Sequence, residues 1–128
     1  MKIETTVIGQ SPSGQDVTEY ALINDRGHRV SVMNVGATLL DVVVPDREGK
    51  LANVNLRFDS LQPYLSKHPY FGSTVGRFCN RIGNARFVID GTTFKLTRNH
   101  GEHMLHGGTD NFAFRYWDAE LREHSDSV

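Results

Sequence analysis

One cysteine among 128 residues, Cys79, leaves no partner for an intramolecular disulfide and suits a reducing compartment. No apolar run approaches the roughly 20 residues of a membrane span, and Met1-Lys2-Ile3-Glu4-Thr5-Thr6 lacks the long apolar core of a secretion signal. Neither charge sign dominates. The formal net charge is −1 with acidic and basic residues interspersed, so no basic stripe for nucleic acid and no polybasic membrane anchor is present. Gly-x-Ser-x-Gly elbows, P-loops and dinucleotide fingerprints are missing as well. Internal repeats and low-complexity linkers are absent. These absences predict a cytoplasmic protein that partners neither nucleic acid nor membrane, folded as a single β domain over residues 1–128.

What is abundant is turn chemistry. Val17 to Ile23 alternates and ends at Asn24-Asp25-Arg26-Gly27, and Arg29 to Val35 reads as the returning strand. Thr38 to Val44 is β-branched and apolar and stops at Pro45-Asp46-Arg47-Glu48-Gly49. Asn53 to Phe58 places Val54, Leu56 and Phe58 on one face at period two. Asp59 to Leu65 predicts the one helical turn, capped by Asp59 or Ser60. Arg86–Asp90 and Thr92–Thr97 flank Asp90-Gly91, a hairpin signal. Phe112 to Leu121 reads as a strand from its aromatic first half, although Trp117 to Glu123 would also tolerate a helix. The tail from Arg122 to Val128 is polar and expected to fray. Many short strands with Gly and Pro punctuation predict an all-β, antiparallel β-sandwich.

Candidate chemistry gathers in two Gly-flanked segments, Gly76-Arg77-Phe78-Cys79-Asn80-Arg81-Ile82 and Asn99 to Gly108. The Arg81 fork stays charged at any working pH and can clamp hydroxyls, while the Asn80 amide both donates and accepts, as a hydroxyl does. The bland alternative pairs the arginine with a carboxylate and has the asparagine close a turn; Arg77 is a rival that spacing does not rank. The His106 imidazole can contact a ligand or mediate a proton, or simply bond a neighbouring carbonyl. His100, His103 and His106 invite a metal, but glycines make the stretch loop or strand, where His103 points away from the other two. No metal is therefore expected. Between Phe78 and Ile82, Cys79 reads as a buried small hydrophobe. Tyr64, Tyr70, Phe71 and Trp117 could stack on a sugar, though core positions suit most of them.

Several blocks in register carry a family likeness. Asn34-Val35-Gly36-Ala37 before a strand and Pro45-Asp46-Arg47-Glu48-Gly49 resemble the early Gly-Ala and Pro-Asp-x-x-Gly pattern of aldose 1-epimerases (galactose mutarotases). Leu56-Arg57-Phe58-Asp59-Ser60 is similar to that family's Leu-Gly-Phe-Asp stretch, with Arg57 in place of glycine. Pro69 to Ile82 resembles its most specific block, and Asp90-Gly91, Asn99, Leu105-His106-Gly107-Gly108 and Trp117 follow in order. The resemblance implies the N-terminal portion of a galactose mutarotase-like β-sandwich that interconverts α and β anomers of hexoses without cofactor or metal. Asn80 and Arg81 would bind substrate, and His106 would be the first active-site histidine, both substrate-binding and catalytic. The family's acid, a second histidine, and its base, a glutamate, lie downstream of the Leu-His-Gly-Gly block; Glu123 and His124 do not occupy matching positions. The resemblance thus implies a monosaccharide partner and, for this chain alone, little turnover. A non-catalytic sugar-binding module and a structural fragment are the alternatives, and an uncovered sheet face would favour a homo-oligomer.

Overall fold

Hairpin closures organise the first half of the chain, and side chains close them. Asn24 Oδ1 accepts from the backbone N–H of Arg26 and His28 (3.0 and 2.9 Å), and Asp46 Oδ1 accepts from those of Glu48 and Lys50 (2.8 and 2.9 Å). Such local acceptors let a short polar residue stand in for a backbone turn partner. The result, in a computed structural model that describes residues 1–122, is a five-stranded antiparallel sheet in chain order. Its strands are β1 (Lys2–Gln10), β2 (Asp16–Ile23), β3 (Arg29–Met33), β4 (Thr38–Pro45) and β5 (Leu51–Asn53). Register runs Ala21 opposite Ser31 and Ser31 opposite Asp41, then slips so that Val32 faces Leu39, a bulge that leaves Leu40 extra. Edge strand β1 lacks a clean alternation of burial, which is why no periodicity announced it.

The core lies under this sheet. Val17, Met33, Val35, Leu40 and Tyr64 are buried together, with Ile8, Phe58, Leu61, Leu65 and Tyr116 packed around them. Beside it sits a charged cluster. Asp41 accepts from Arg29 Nη1 (3.0 Å), Ser31 Oγ (3.0 Å), Asn53 Nδ2 (2.7 Å) and Arg57 Nη1 (2.7 Å), and Arg29 also reaches Glu19 (2.7 Å). Arg57, which stands where the resembled pattern has glycine, is thereby absorbed by a carboxylate, whose hydrogen bond raises the guanidinium pKa further.

Two small ribbons follow: β6 (Arg81–Ile82) with β9 (Met104–Leu105), and the hairpin β7 (Arg86–Ile89) with β8 (Thr92–Lys95). The hairpin turns at Asp90 and Gly91, both with positive φ (47° and 76°), as the Asp-Gly signal requires. Single 3-10 turns occupy Gln62–Leu65, Gly83–Ala85 and Phe112–Phe114. The all-β, antiparallel expectation holds, and among the described residues no helix is long and apolar enough to cross a membrane.

Three expectations need correction. Strand β5 ends at Asn53 with one further backbone bond, Val54 N to Val42 O (2.9 Å), and Val54 and Leu56 are exposed rather than part of a strand face. Asparagine amides take over the ladder: Asn53 Oδ1 accepts from Val42 N (3.0 Å), and Asn55 Nδ2 donates to the carbonyls of Leu39 and Leu40. The turn after it begins later than foreseen, behind Leu61 and with no side-chain cap, so neither Asp59 nor Ser60 caps it. Phe112 to Leu121 is no strand either. Asn111 Oδ1 caps a 3-10 turn there through Ala113 N (3.0 Å), and only Tyr116 makes a β-bridge, to Val35. The tail beyond Arg122, including Glu123 and His124, lies outside the described residues.

Candidate functional site

The segment from Tyr70 to Ile82 is laced by backbone bonds to the β3–β4 corner and to the 3-10 turn at Phe112–Phe114. Leu39 N donates to Gly72 O (2.9 Å), Thr74 N to Gly36 O (3.1 Å), and Phe112 N to Gly76 O (3.3 Å). Backbones approach so closely that only glycine fits. A Cβ on Gly107, where φ is +92°, would overlap the Gly76 carbonyl oxygen. This contact seats the Leu105-His106-Gly107-Gly108 turn against the Gly76–Ile82 loop.

The β6–β9 ribbon then brings the candidate groups together. Arg81 pairs with Leu105, and at the next position out Asn80 and His106 face each other, both in left-handed backbone (φ 63° and 53°). His106 N donates to Asn80 O (3.0 Å), and Asn80 N donates to His106 Nδ1 (3.1 Å). An Nδ1 that accepts carries no proton, so neutral His106 holds its hydrogen on Nε2. The Asn80 side-chain oxygen accepts from Arg81 Nη1 (3.1 Å) and Arg81 Nη2 lies 3.5 Å from His100 Nε2, which leaves the Asn80 amide nitrogen and the remaining N–H groups of the guanidinium for other partners. Tyr70 packs its ring on His106, centroids 4.7 Å apart. Asn99 pins the ribbon from behind, its amide accepting from Leu105 N (2.7 Å) and donating to Leu105 O (2.8 Å).

Asn80, Arg81 and His106 therefore share one surface, and it is open: Asn80 and Arg81 are exposed and His106 half-buried. Clefts flank this surface. One of about 670 Å³ is lined by Arg77, Phe78, Phe87, Phe112 and Trp117, with the Arg77 guanidinium 5.4 Å above the Phe112 ring. A second of about 420 Å³ adjoins Tyr70, Asn99 and Lys67. Arg81 thus sits on the ribbon opposite Leu105, its guanidinium on Asn80 and His100, while Arg77 lines the larger cleft.

Cys79 corrects the sequence reading. It is exposed, with Sγ 3.8 Å from His106 Nδ1, because neighbouring Phe78 also faces outward instead of into a core. The three histidines serve three tasks: His103 Nδ1 accepts from Asn84 N (3.1 Å), His100 Nε2 lies 3.5 Å from Arg81 Nη2, and His106 faces Asn80. Among the described residues no group of three His, Cys, Asp or Glu side chains could hold a metal ion. Of the aromatic candidates, Tyr64 is core, Phe71 packs on Phe58, Trp117 lies edge-on to Phe112, and Tyr70 alone touches the candidate cluster. One neighbour went unnoticed in the sequence. His68 bonds the Tyr70 backbone through Nδ1, an i to i+2 contact that leaves no trace in periodicity.

The sequence profile of the aldose 1-epimerase family matches residues 18–128. Galactose mutarotase of Sus scrofa is 38% identical over 117 residues, 91% of this chain and 34% of that protein. Aldose 1-epimerase of Escherichia coli K12 is 36% identical over 107 residues, 84% of this chain and 31% of its own. The crystal structure of galactose 1-epimerase from Lactobacillus acidophilus NCFM superposes with TM-score 0.83 at 28% identity, covering 98% of this chain and 36% of that one. The chain spans about a third of the length of the relatives it matches. It belongs to the aldose 1-epimerase family, and its architecture is galactose mutarotase-like.

Proposed function

We propose that Asn80, Arg81 and His106 grip a hexose and that the chain takes part, through them, in interconverting its α and β anomers in cytoplasmic carbohydrate metabolism. The observation that carries this reading is the paired bond between Asn80 and His106. It commits Nδ1 inward and leaves Nε2–H as the free donor of neutral His106. Mutarotation opens the pyranose by taking the anomeric hydroxyl proton and protonating the ring oxygen; positioned proton transfer of this kind contributes about 10²–10⁴-fold. In this reading Nε2–H meets the ring oxygen or the hydroxyl beside it, and the Arg81 fork with the Asn80 amide holds two further hydroxyls. Residues 1–128 act as a single β domain that needs no cofactor.

Polarimetry on freshly dissolved α-galactose or α-glucose tests turnover, and saturation-transfer NMR with the same sugars tests grip. A rotation that decays no faster than in buffer, with no transferred saturation, overturns the proposal. One observation favours a second reading, grip without turnover: Glu102, the carboxylate within Asn99–Gly108, is paired with Arg98 at 2.8 Å instead of facing His106. Saturation transfer with buffer-rate mutarotation selects it. Association into a homo-oligomer is part of the proposal as well, supported by exposed Phe78, Val88, Ile89 and Phe94. Light scattering after size-exclusion chromatography reads it, and a monomer at all concentrations removes it.

A further inference from the structure

We infer that His68 is a positioning residue for the candidate site, holding the Tyr70 backbone so that the Tyr70 ring fixes the imidazole of His106. The inference rests on the reading of His106 as a sugar-contacting group, but its geometry stands independently.

His68 is 7% exposed, and its Nδ1 accepts from Tyr70 N at 3.0 Å. The proton therefore sits on Nε2, which is buried and has no hydrogen-bond partner among the described residues. Rings enclose it: Phe114 at 5.2 Å, Tyr64 at 5.7 Å, Tyr70 at 5.8 Å and Phe58 at 6.0 Å between centroids. An aliphatic side chain would fill such a cage without a stranded donor. The one thing the imidazole supplies that an aliphatic group does not is the acceptor for Tyr70.

Tyr70 needs that acceptor. It is a bulky residue in left-handed backbone, φ 66°, a conformation that persists only when its surroundings hold it. At the other end of the side chain its hydroxyl lies 3.3 Å from the amide nitrogen of buried Asn111. Between these two anchors the ring presses against His106 at 4.7 Å. Among the described residues the His106 ring is bonded at Nδ1 alone, by Asn80 N (3.1 Å) and the more distant Cys79 Sγ (3.8 Å), and a ring held at one nitrogen can still rotate out of those contacts. The Tyr70 ring, tilted 58° to the imidazole, holds it in that contact, so Nδ1 stays the acceptor and Nε2–H is aimed.

The test compares His68→Leu, which fills the cage without an acceptor, with His68→Asn, whose side-chain oxygen can accept the same i+2 N–H as an Asx turn. Long-range ¹H–¹⁵N NMR of the full chain reads the His106 tautomer directly, without sugar. The parent and His68→Asn are expected to show one Nε2–H tautomer; His68→Leu is expected to show a tautomer mixture and about threefold to tenfold weaker hexose binding. Tyr70→Leu should reproduce the His106 change, and it replaces His68→Leu should that variant not fold. An unchanged His106 signal in folded His68→Leu or Tyr70→Leu overturns the inference, as does a mixture equally present in His68→Asn. Loss of the single tautomer in a protein whose parent binds no hexose upholds the positioning and rejects the sugar reading, so the two failures are distinguishable.

Discussion

The five-stranded sheet and the Tyr70–Gly108 segment are held by different physics. In the sheet, order comes from burial: Val17, Met33 and Leu40 are nearly or wholly out of solvent. Around the candidate site burial is confined to a few residues such as Met104, Ala85, Gly76 and Gly108, and strands β7 and β8 are exposed along their whole length. There, order comes from backbones in near contact, left-handed residues and side chains bonded to the main chain, as at Asn99, His103 and His106. Burial tolerates small shifts and punishes lost volume. Close approach does the reverse, tolerating truncation and punishing any added atom.

The largest effect that would break this contrast is a volume loss. Leu40→Ala in the core is expected to cost about 2–5 kcal/mol, whereas Phe94→Ala, 44% exposed and stacked on Phe87, should cost no more than about 1.5 kcal/mol. Urea denaturation of both variants checks it. Equal losses would mean that the β7–β8 hairpin is covered in solution, most simply by a second copy.

The opposite change probes the site. Gly107→Ala adds one methyl group where φ is +92° and the Gly76 carbonyl stands in the way. Strained backbone and overpacking together predict about 2–3 kcal/mol of destabilisation, with the amide signals of Asn80 and Arg81 displaced. A shift confined to residues 105–109, with stability unaltered, would show that the two loops are not wedged together.

Legibility in the sequence followed the same division. Asn24-Asp25-Arg26-Gly27 and Asp90-Gly91 announced their hairpins because turn chemistry is local. Asn53–Phe58 misled, since its period-two pattern is genuine but the amides of Asn53 and Asn55 end the ladder, and amide bonding has no period. Phe112–Leu121 misled through its aromatic content, where the Asn111 cap decided the backbone. At the site, the residue types at Asn80, Arg81 and His106 were readable, and so was their family likeness. Their mutual geometry was not, because it depends on a two-residue ribbon between segments more than twenty positions apart. Cys79 was misread for want of knowing that Phe78 faces outward.

A third prediction separates function from stability. Arg81→Ala should leave the folding free energy within about 0.5 kcal/mol of the parent, since the side chain is exposed and its hydrogen-bonded partner Asn80 is exposed too. Hexose affinity should fall at least about tenfold, the scale of a charged hydrogen bond at about 1.5–3 kcal/mol. Titration calorimetry on both proteins measures it. A stability loss matching the loss of affinity would make Arg81 a structural residue after all.

The smallest predicted effect sharpens the comparison from its boundary, because His68 belongs to the buried side yet bonds the site's Tyr70. Burial lowers the His68 pKa from its ordinary 6.5. Above that value the ring is neutral in both folded and unfolded chains and the stability does not depend on it. As the pH falls below about 6.5 the unfolded chain takes up the proton first, so stability declines until the folded-state pKa is passed. One proton sets a ceiling of about 1.4 kcal/mol per pH unit. Denaturation at about pH 7.5 and about pH 5.5 should therefore show the parent losing more than His68→Asn, by up to that ceiling, while exposed histidines common to both cancel. Parallel losses would mean that acid reaches His68 without cost, and the ring cage would then be open to water rather than part of the core.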